Sequence, residues 1–424
     1  MTTIIALLQT ILLLLFVVPV GYLLFLMIAA AFYRQKRSTK AEPAPFNYLI
    51  LIPAHDEALT LPAVLPSILA LRSGKGSRQP RVVVVADNCT DNTADLARTA
   101  GAEVLERFNP TLGGKGYALE WAISQLMEKY GPDRFSALVI LDADTVPDKN
   151  FLEEIDRVML NGAVVAQGRY GILNQAEASW RTHLLSTAFL IYNHVRPLGR
   201  AALGLSDGLR GNGMAFRRDI LERFPWQAYG LVEDIEYANR LVKAGLKVTY
   251  APAALIYGQG ASSRKQATVQ RMRWEGGRFR QVRADVPSLL RVAVTRPSFS
   301  AFDRALDLLI PPLALLALLL GGLTVLDVIL WLLLGGAWLT ATVVGWLVLI
   351  LGLLIFVIGG LAVARAPKAA WMALVFAPFY ILWKMQIYIR MLVFKAPKQW
   401  VRTPRSTIET RDVQATTVEV EQKG

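Results

Sequence analysis

The sequence predicts an α/β protein: a doubly wound parallel sheet carried between transmembrane α-helices. Three observations predict it. Two long apolar runs occupy residues 3–33 and most of residues 306–394. Between them lies a segment of ordinary polarity in which short β-branched runs alternate with helical stretches. Acids and amides collect where those β-branched runs stop, and that is the edge at which open α/β sheets bind ligands.

The membrane elements come first. The chain has 424 residues, of which 54% are hydrophobic, and a formal net charge of +13. A bilayer-spanning helix needs about 20 apolar residues, so the first run predicts one span and the second about three. The first run is too long for the core of a cleaved signal, and its basic residues Arg34, Lys36, Arg37 and Lys40 follow it instead of preceding it. Charges in that position favour the cytoplasmic side. They place the central domain in the cytosol, the N-terminus outside, and the chain as a multi-pass protein of the cell (inner or plasma) membrane. The single cysteine, Cys89, excludes an intrachain disulfide and suits a reducing compartment.

Composition then divides the chain. Residues 1–33 form an N-terminal transmembrane helix, 45–263 a cytosolic domain, and 264–303 an amphipathic interfacial segment. Residues 304–400 form transmembrane and interfacial helices, and 401–424 a polar tail with the composition of a disordered segment. Pro311-Pro312, Gly321-Gly322, Gly335-Gly336 and Gly359-Gly360 punctuate the C-terminal block. Two or four spans there keep the basic tail inside, whereas three put it outside; residues 371–400, with Lys384 and Arg390, can instead lie flat at the interface. The positive excess is juxtamembrane, at Arg34–Lys40, Arg264–Arg283 and Lys395–Arg405. Such clusters match anionic lipid headgroups. No nucleic-acid motif accompanies them, so nucleic acid is not expected as a partner.

Four continuous apolar runs read as buried parallel strands: Tyr48–Ala54, Arg81–Asn88, Ala102–Arg107 and Ala137–Thr145. One helix begins near Asp91 and stops at Gly101; another follows Lys115. The first strand ends in His55, Asp56 and Glu57, the second in Asp87 and Asn88, and the fourth in Asp142 and Asp144.

These positions carry the candidate chemistry. Asp142 and Asp144 point the same way if the strand stays extended, and paired hard oxygens suit Mg²⁺ or Mn²⁺. In isolation such a pair is more often a solvated turn. Glu233 and Asp234 open a helix that ends at Gly245; acids there are ordinary dipole complements, and the functional alternative makes one a general base. Lys115 follows two glycines at a helix start, a place that favours phosphate, although the spacing is not that of a Walker loop. Gly208, Gly211 and Gly213 surround Asn212 in a loop that lets a substrate approach the backbone. His183 and His194 read as structural, Cys89 as a packing residue, and Asp327 as either an intramembrane functional acid or a loop residue. The segment Tyr192–Arg200 lies where it could approach an acceptor, with no mechanism attached.

Taken in order, I-P-A-H-D-E, V-A-D-N-C-T-D, G-G-K-G, D-A-D, G-N-G, V-E-D and Q-R-M-R-W resemble the membrane-bound family 2 glycosyltransferases. These include cellulose synthase, hyaluronan synthase, poly-N-acetylglucosamine synthase and ceramide glucosyltransferase. The resemblance covers about residues 45–285 and the flanking helices, and Q-x-x-R-W is its most specific element. It implies a GT-A type, Rossmann-like nucleotide-sugar domain. His55, Glu57, Asp87, Lys115 and Asp142 would then bind the nucleotide, with Asp87 at the uracil. Asp142 and Asp144 would hold a divalent metal ion (Mg or Mn) on the diphosphate. Asp234 would be the catalytic base, and Arg273 would stabilise the leaving group. Gly211, Asn212, Gly213, Glu233, Gln270 and Trp274 would face the acceptor. Two positions depart from the family's pattern. His55-Asp56 stands where Tyr-Asn is frequent, and Ala86-Asp87 where two acids are frequent.

The resemblance implies an inverting hexosyltransferase that moves a sugar from a UDP-sugar to a glycan acceptor at the cytoplasmic membrane face, building a β-linked polysaccharide. The alternative is a single sugar added to a lipid acceptor. A polymer exporter with so few C-terminal helices would also want an accessory membrane subunit. A catalytically dead binding protein is the reading from a different class, and the presence of every matched acid argues against it. Within the arginine-rich stretch, Gln270, Arg273 and Trp274 are expected in the site, and Arg264, Lys265, Arg278, Arg280 and Arg283 at lipid headgroups.

Overall fold

The computed structural model describes residues 2–34, 46–74, 78–173, 180–260 and 264–394. The polar tail 401–424 and most of the basic clusters at 34–40 and 395–405 therefore lie outside the described residues. The apolar first run forms one helix, α1 (Thr2–Ala31). The central domain begins with β1 (Tyr48–Ala54), α2 (Leu61–Leu69), β2 (Arg81–Asp87), α3 (Thr93–Thr99), β3 (Glu103–Arg107), α4 (Lys115–Lys129) and β4 (Ala137–Ile140). These four strands are parallel in the order β3-β2-β1-β4, as the alternation of strand and helix predicts. Both faces are buried. Ile50, Ile52, Val84 and Val139 pack under Leu65 and Phe151 on one side, while Leu49, Leu51, Val83 and Leu138 pack under Leu119 and Leu241 on the other. This is why the strands read as unbroken apolar runs.

The remaining elements are β5 (Thr145–Pro147), α5 (Phe151–Leu160), β6 (Val165–Ile172), α6 (Trp180–Leu190), α7 (Arg196–Ala202), β7 (Met214–Arg217), α8 (Arg218–Arg223), α9 (Glu233–Lys243) and β8 (Val248–Gly258). A π-helical turn, Ile191–Val195, joins α6 to α7. The completed sheet runs β3-β2-β1-β4-β7-β6-β8-β5. It is mixed, not wholly parallel: β7 is antiparallel to both β4 and β6, and β5 to β8. The added strands escape a sequence reading because glycine, proline and arginine interrupt them. The predicted fourth strand also stops early, at Ile140, because the Thr145 N–H donates to the Asp142 carbonyl (3.1 Å) and closes a turn.

The C-terminal region contains α10 (Arg264–Thr295), α11 (Phe299–Leu309), α12 (Leu313–Leu334), α13 (Ala337–Val363), α14 (Lys368–Ala373) and α15 (Ala377–Phe394). Four described helical segments are long and apolar enough to cross a membrane: Ile4–Ala31, Leu313–Leu334, Ala337–Val363 and Lys368–Met391. Gly335-Gly336, both at positive φ, turn α12 back into α13. Gly321-Gly322 and Gly359-Gly360 continue their helices, and Pro311-Pro312 precede α12, with Pro312 as its N-cap. Three glycines set the seam with α1. A Cβ on Gly345, Gly352 or Gly359 would come within 3.0 Å of Leu13, Val20 or Met27 respectively, so α1 and α13 run parallel at close approach. Asp327 lies inside α12, fully buried, and accepts a hydrogen bond from Trp346 Nε1 (2.8 Å); it is not a loop residue.

Candidate active site

One side of the candidate site is built from the loops after β1 and β2. Asp56 adopts a left-handed φ of 53° that turns the chain out of β1. Burial pushes its carboxyl up, but the N–H groups of Thr90 (2.6 Å) and Asp91 (3.3 Å), with nearby His55, outweigh burial and hold it below the usual carboxylate range. His55 Nδ1 lies 2.7 Å from the Asp87 carbonyl. Glu57 is buried; its N–H donates to Thr93 Oγ1 (2.8 Å) and its Oε2 accepts from Thr60 Oγ1 (2.6 Å). The two loops are thus stitched together before any ligand arrives.

Asp87 is also buried, and its Oδ1 accepts from Arg107 (2.5 Å) and from Asn88 Nδ2 (3.1 Å). Arg107 ends β3 and is a site-building residue that the sequence reading missed; an arginine closing a strand beside an acid-bearing strand end was the available signal. Cys89 is half-buried, and burial pushes its thiol up. Its sulfur lies with Asp56 and Asp91 in a group compact enough for a cation. Backbone and side-chain donors already occupy both carboxylates, however, since Asp91 accepts from Ala58 N (3.1 Å) and Thr93 N (3.0 Å).

The centre lies at the turn after β4. Lys115 Nζ donates to Asp142 Oδ1 and to the Gly211 carbonyl and lies 3.9 Å from Glu233. Burial works against its charge, but Asp142 and Glu233 outweigh burial and hold the ammonium protonated. Asp144 is buried next to Asp142 in the same turn. The pair does not rely on strand alternation, because the backbone turns there. Two carboxylates on one tight turn give the hard oxygen set that Mg²⁺ or Mn²⁺ takes.

Asn212 has a different place from the acceptor contact expected of it. It is fully buried, its Oδ1 accepts from Asp142 N (3.1 Å), and its Nδ2 donates to Thr145 Oγ1 (2.8 Å). Its side chain is spent on holding the Asp142–Thr145 turn. Gly211 is half-buried: its φ is 75°, and a Cβ there would project to within 3.5 Å of Asp234 Oδ2. Gly213, at φ 67°, has no room for a Cβ against Ile256.

Glu233 and Asp234 head α9. Burial pushes Glu233 up to about 7 against the pull of Lys115, and the Asp234 charge adds to the rise. Burial raises Asp234 as well, although the Ile235 N–H, Lys115 and Arg304 oppose it. Two half-buried carboxyls that both feel the Lys115 charge suit proton transfer. α10 packs beside this turn: a Cβ on Gly277 would come 2.8 Å from Val232, the residue before Glu233. Gln270, Arg273 and Trp274 lie on the preceding turns of α10. The Trp274 ring faces Phe189 (6.0 Å between centroids), with the Arg271 guanidinium 5.1 Å from its centroid. An ion pair between Glu275 and Lys384 ties α10 to α15.

Arg278 corrects the expectation of a lipid contact. It is buried and donates to the carbonyls of Asp307 (2.5 Å) and Ile310 (3.0 Å), capping α11. Arg280 and Arg283 are exposed, and the side chains of Arg264 and Lys265 lie outside the described residues. His194 is structural: it is buried, its Nδ1 lies 2.8 Å from Tyr250 Oη, and burial pushes its pKa well below the usual value.

Residues 44–277, more than half of the chain, match the family model "Glycosyltransferase like family 2". The chain is 26% identical over 241 residues to a probable glycosyltransferase, YdaM, of Bacillus subtilis (strain 168); the match covers 54% of each protein, so it spans about half the length of that relative. It is 24% identical over 345 residues to an N-acetylglucosaminyltransferase of Rhizobium leguminosarum bv. viciae, covering 78% of this chain and 75% of that one. Among solved structures it resembles the mannosyltransferase PcManGT of Pyrobaculum calidifontis in complex with GDP-Man and Mn2+. The TM-score is 0.50 at 16% identity, over 93% of this chain and 97% of the other. That likeness is one of fold, and the fold is GT-A-like.

Proposed function

The chain belongs to the glycosyltransferase like family 2, and we propose that it is an inverting, membrane-bound hexosyltransferase that moves a sugar from a UDP-sugar to an acceptor at the cytoplasmic face, in the manner of the polysaccharide synthases. The observation that carries this reading is the meeting of Asp142, Lys115, Gly211, Glu233 and Asp234 at one sheet edge. Donor-side and acceptor-side groups there share a single lysine.

The chemistry follows from those residues. His55 and Asp87 line the base end of the nucleotide pocket, and Lys115 offers a cation to its phosphates. Asp142 and Asp144 would hold the divalent cation, which neutralises charge on the leaving diphosphate. Asp234 takes the proton from an acceptor hydroxyl. The acceptor oxygen bonds to the anomeric carbon, and the carbon–oxygen bond to the nucleoside diphosphate breaks with its electron pair on the diphosphate. Arg273 adds positive charge on the leaving-group side. Trp274 offers an apolar face to a sugar ring. A single displacement on an α-linked donor gives a β-linked product. The Rhizobium relative favours an N-acetylhexosamine as the first donor to try.

The test is UDP release by the purified full chain in detergent with Mn²⁺ and a panel of UDP-sugars, followed by mass spectrometry of the product. One donor is expected to support release that a chelator abolishes. A ladder of products supports the polysaccharide reading, and one added sugar on lipid supports glycolipid synthesis. No release with any donor, with or without lipid acceptor, overturns the enzyme assignment.

A further inference from the structure

The last described helices reach back to the candidate site. α15 belongs to the least apolar of the four segments long enough to cross a membrane. Its two faces differ. Phe379, Leu382, Ile389 and Val393 are exposed along one face. On the opposite face Lys384 is 2% exposed, with its Nζ 5.2 Å from the Tyr388 ring centroid. A charge buried in an apolar helix is expensive unless it is paired. Its partner is Glu275, the residue after Trp274. Glu275 is itself buried, and its Oε2 has no hydrogen-bond partner among the described residues. Neither charge has another ion-pair partner among those residues.

The same stretch of chain is fastened a second time. Phe376 lies in the 3-10 turn Leu374–Phe376 that joins α14 to α15. Its ring stacks on Trp180, the first residue of α6, with centroids 5.0 Å apart and planes at 24°. α6 also carries Phe189, whose ring meets Trp274 of α10 at 6.0 Å. The two fastenings therefore fall on the two helices, α6 and α10, that bring Phe189 and Trp274 together.

A buried ion pair adds little stability over apolar side chains of the same size, and its best-attested use is to fix register. The register at stake here is that of α15 against α10. A slip of one residue along α15 would turn its cation away from Glu275 by about 100°. Removing the cation alone would leave the Glu275 carboxylate buried without a counter-charge, and α10 would have to move to expose it.

We propose that α14 and α15 form a strap across α6 and α10 that sets the spacing of the Phe189–Trp274 pair, with Lys384 as a positioning residue for Trp274. The proposal rests on the reading of Trp274 as part of a glycosyltransferase site and deepens it. Lys384 touches no substrate; it acts through Glu275 and the α10 backbone.

The test compares full-length wild type in neutral detergent with Lys384→Met, Phe376→Ala and the exchanged pair Lys384→Glu with Glu275→Lys. Three quantities are read: amide hydrogen exchange across residues 270–277, the Kd of UDP with Mn²⁺, and kcat and KM for UDP release from UDP-N-acetylglucosamine. Lys384→Met should speed that exchange about tenfold or more. It should lower kcat by about 10–10², as misplacement of a site residue does. The UDP Kd and the donor KM should stay within about twofold. The exchanged pair should recover kcat, which lost packing alone would not allow. Phe376→Ala keeps the ion pair and loosens the other fastening, so it should move the same quantities by less. Unchanged exchange and kcat in both Lys384→Met and Phe376→Ala overturn the proposal. So does a UDP Kd that weakens as far as kcat falls, since the helices would then support the whole domain. An exchanged pair that binds UDP normally but stays as slow as Lys384→Met overturns it too. If a charge variant does not fold, Phe376→Ala decides. Wild-type protein that binds no UDP and releases none from any UDP-sugar would count against the enzyme reading instead, and amide exchange would still decide on the strap.

Discussion

The proposed donor and acceptor halves of the site are fastened by different means. On the donor side, hydrogen bonds join loops that lie 32 and 36 positions apart in sequence, as in His55 to Asp87 and Glu57 to Thr93. They close the segments that follow the parallel strands β1 and β2. On the side of α9 and α11, the fastenings are ion pairs between residues 103 and 111 positions apart, Arg200 with Asp303 and Arg196 with Asp307. These join the sheet domain to α11, which leads into α12, a helix long and apolar enough to cross a membrane. Under the proposed function, nucleotide binding would be organised by the loops of the sheet, whereas acceptor positioning would depend on the docked apolar helices.

The largest test of that separation is the base. Asp234→Asn should lower kcat by about 10²–10⁴, the usual worth of a general base, with UDP affinity nearly unchanged. Steady-state kinetics with parallel UDP titration reads both quantities. If affinity falls as far as turnover does, the two halves are one unit and the contrast fails.

Asn212 sharpens the contrast from the middle, since it comes from the glycine loop proposed to meet the acceptor but holds the Asp142–Thr145 turn. Asn212→Ala leaves the Asp142 N–H and Thr145 hydroxyl without a buried partner, at a cost of about 1–3 kcal/mol. The expected result is a lower Tm and a higher Mn²⁺ concentration for half-maximal activity, with the acceptor KM unmoved. A change confined to the acceptor KM would return Asn212 to the acceptor contact that its place in the glycine loop suggests.

Legibility in the sequence follows the same divide. β1 coincides with its predicted run, and Lys115 opens α4 as predicted, because buried parallel strands and glycine-led helix starts leave local signals. β7 leaves none: four residues, Met214–Arg217, pair antiparallel between β4 and β6 only because their neighbours are already in place. Arg278 and Arg280 look alike in sequence, yet one caps α11 and the other meets solvent. Nothing local separates them. Arg196 and Arg200, like Asp303 and Asp307, lie four apart, so each pair shares a helix face. The spacing was visible, but that the two faces meet is a tertiary fact.

The smallest expected effect separates the halves by pH. On the acceptor side, burial raises Glu233 from 4.5 to about 7. A raised carboxyl contributes stability that is fully present below its unfolded pKa and is lost as pH climbs through the folded value. On the donor side, Asp56 is held low, so its contribution is present above its ordinary range and lost as pH falls. Glu233→Gln should therefore gain Tm relative to wild type as pH rises from 4.5 to about 7, by roughly 2–4 °C per kcal/mol. Asp56→Asn should lose Tm at neutral pH, and the loss should fade in acid. A Tm difference between Glu233→Gln and wild type that stays flat across that window would mean that Glu233 ionises as an ordinary surface acid. The acceptor half would then be no drier than the donor half, and the proton-accepting environment assigned to α9 would have to be sought elsewhere.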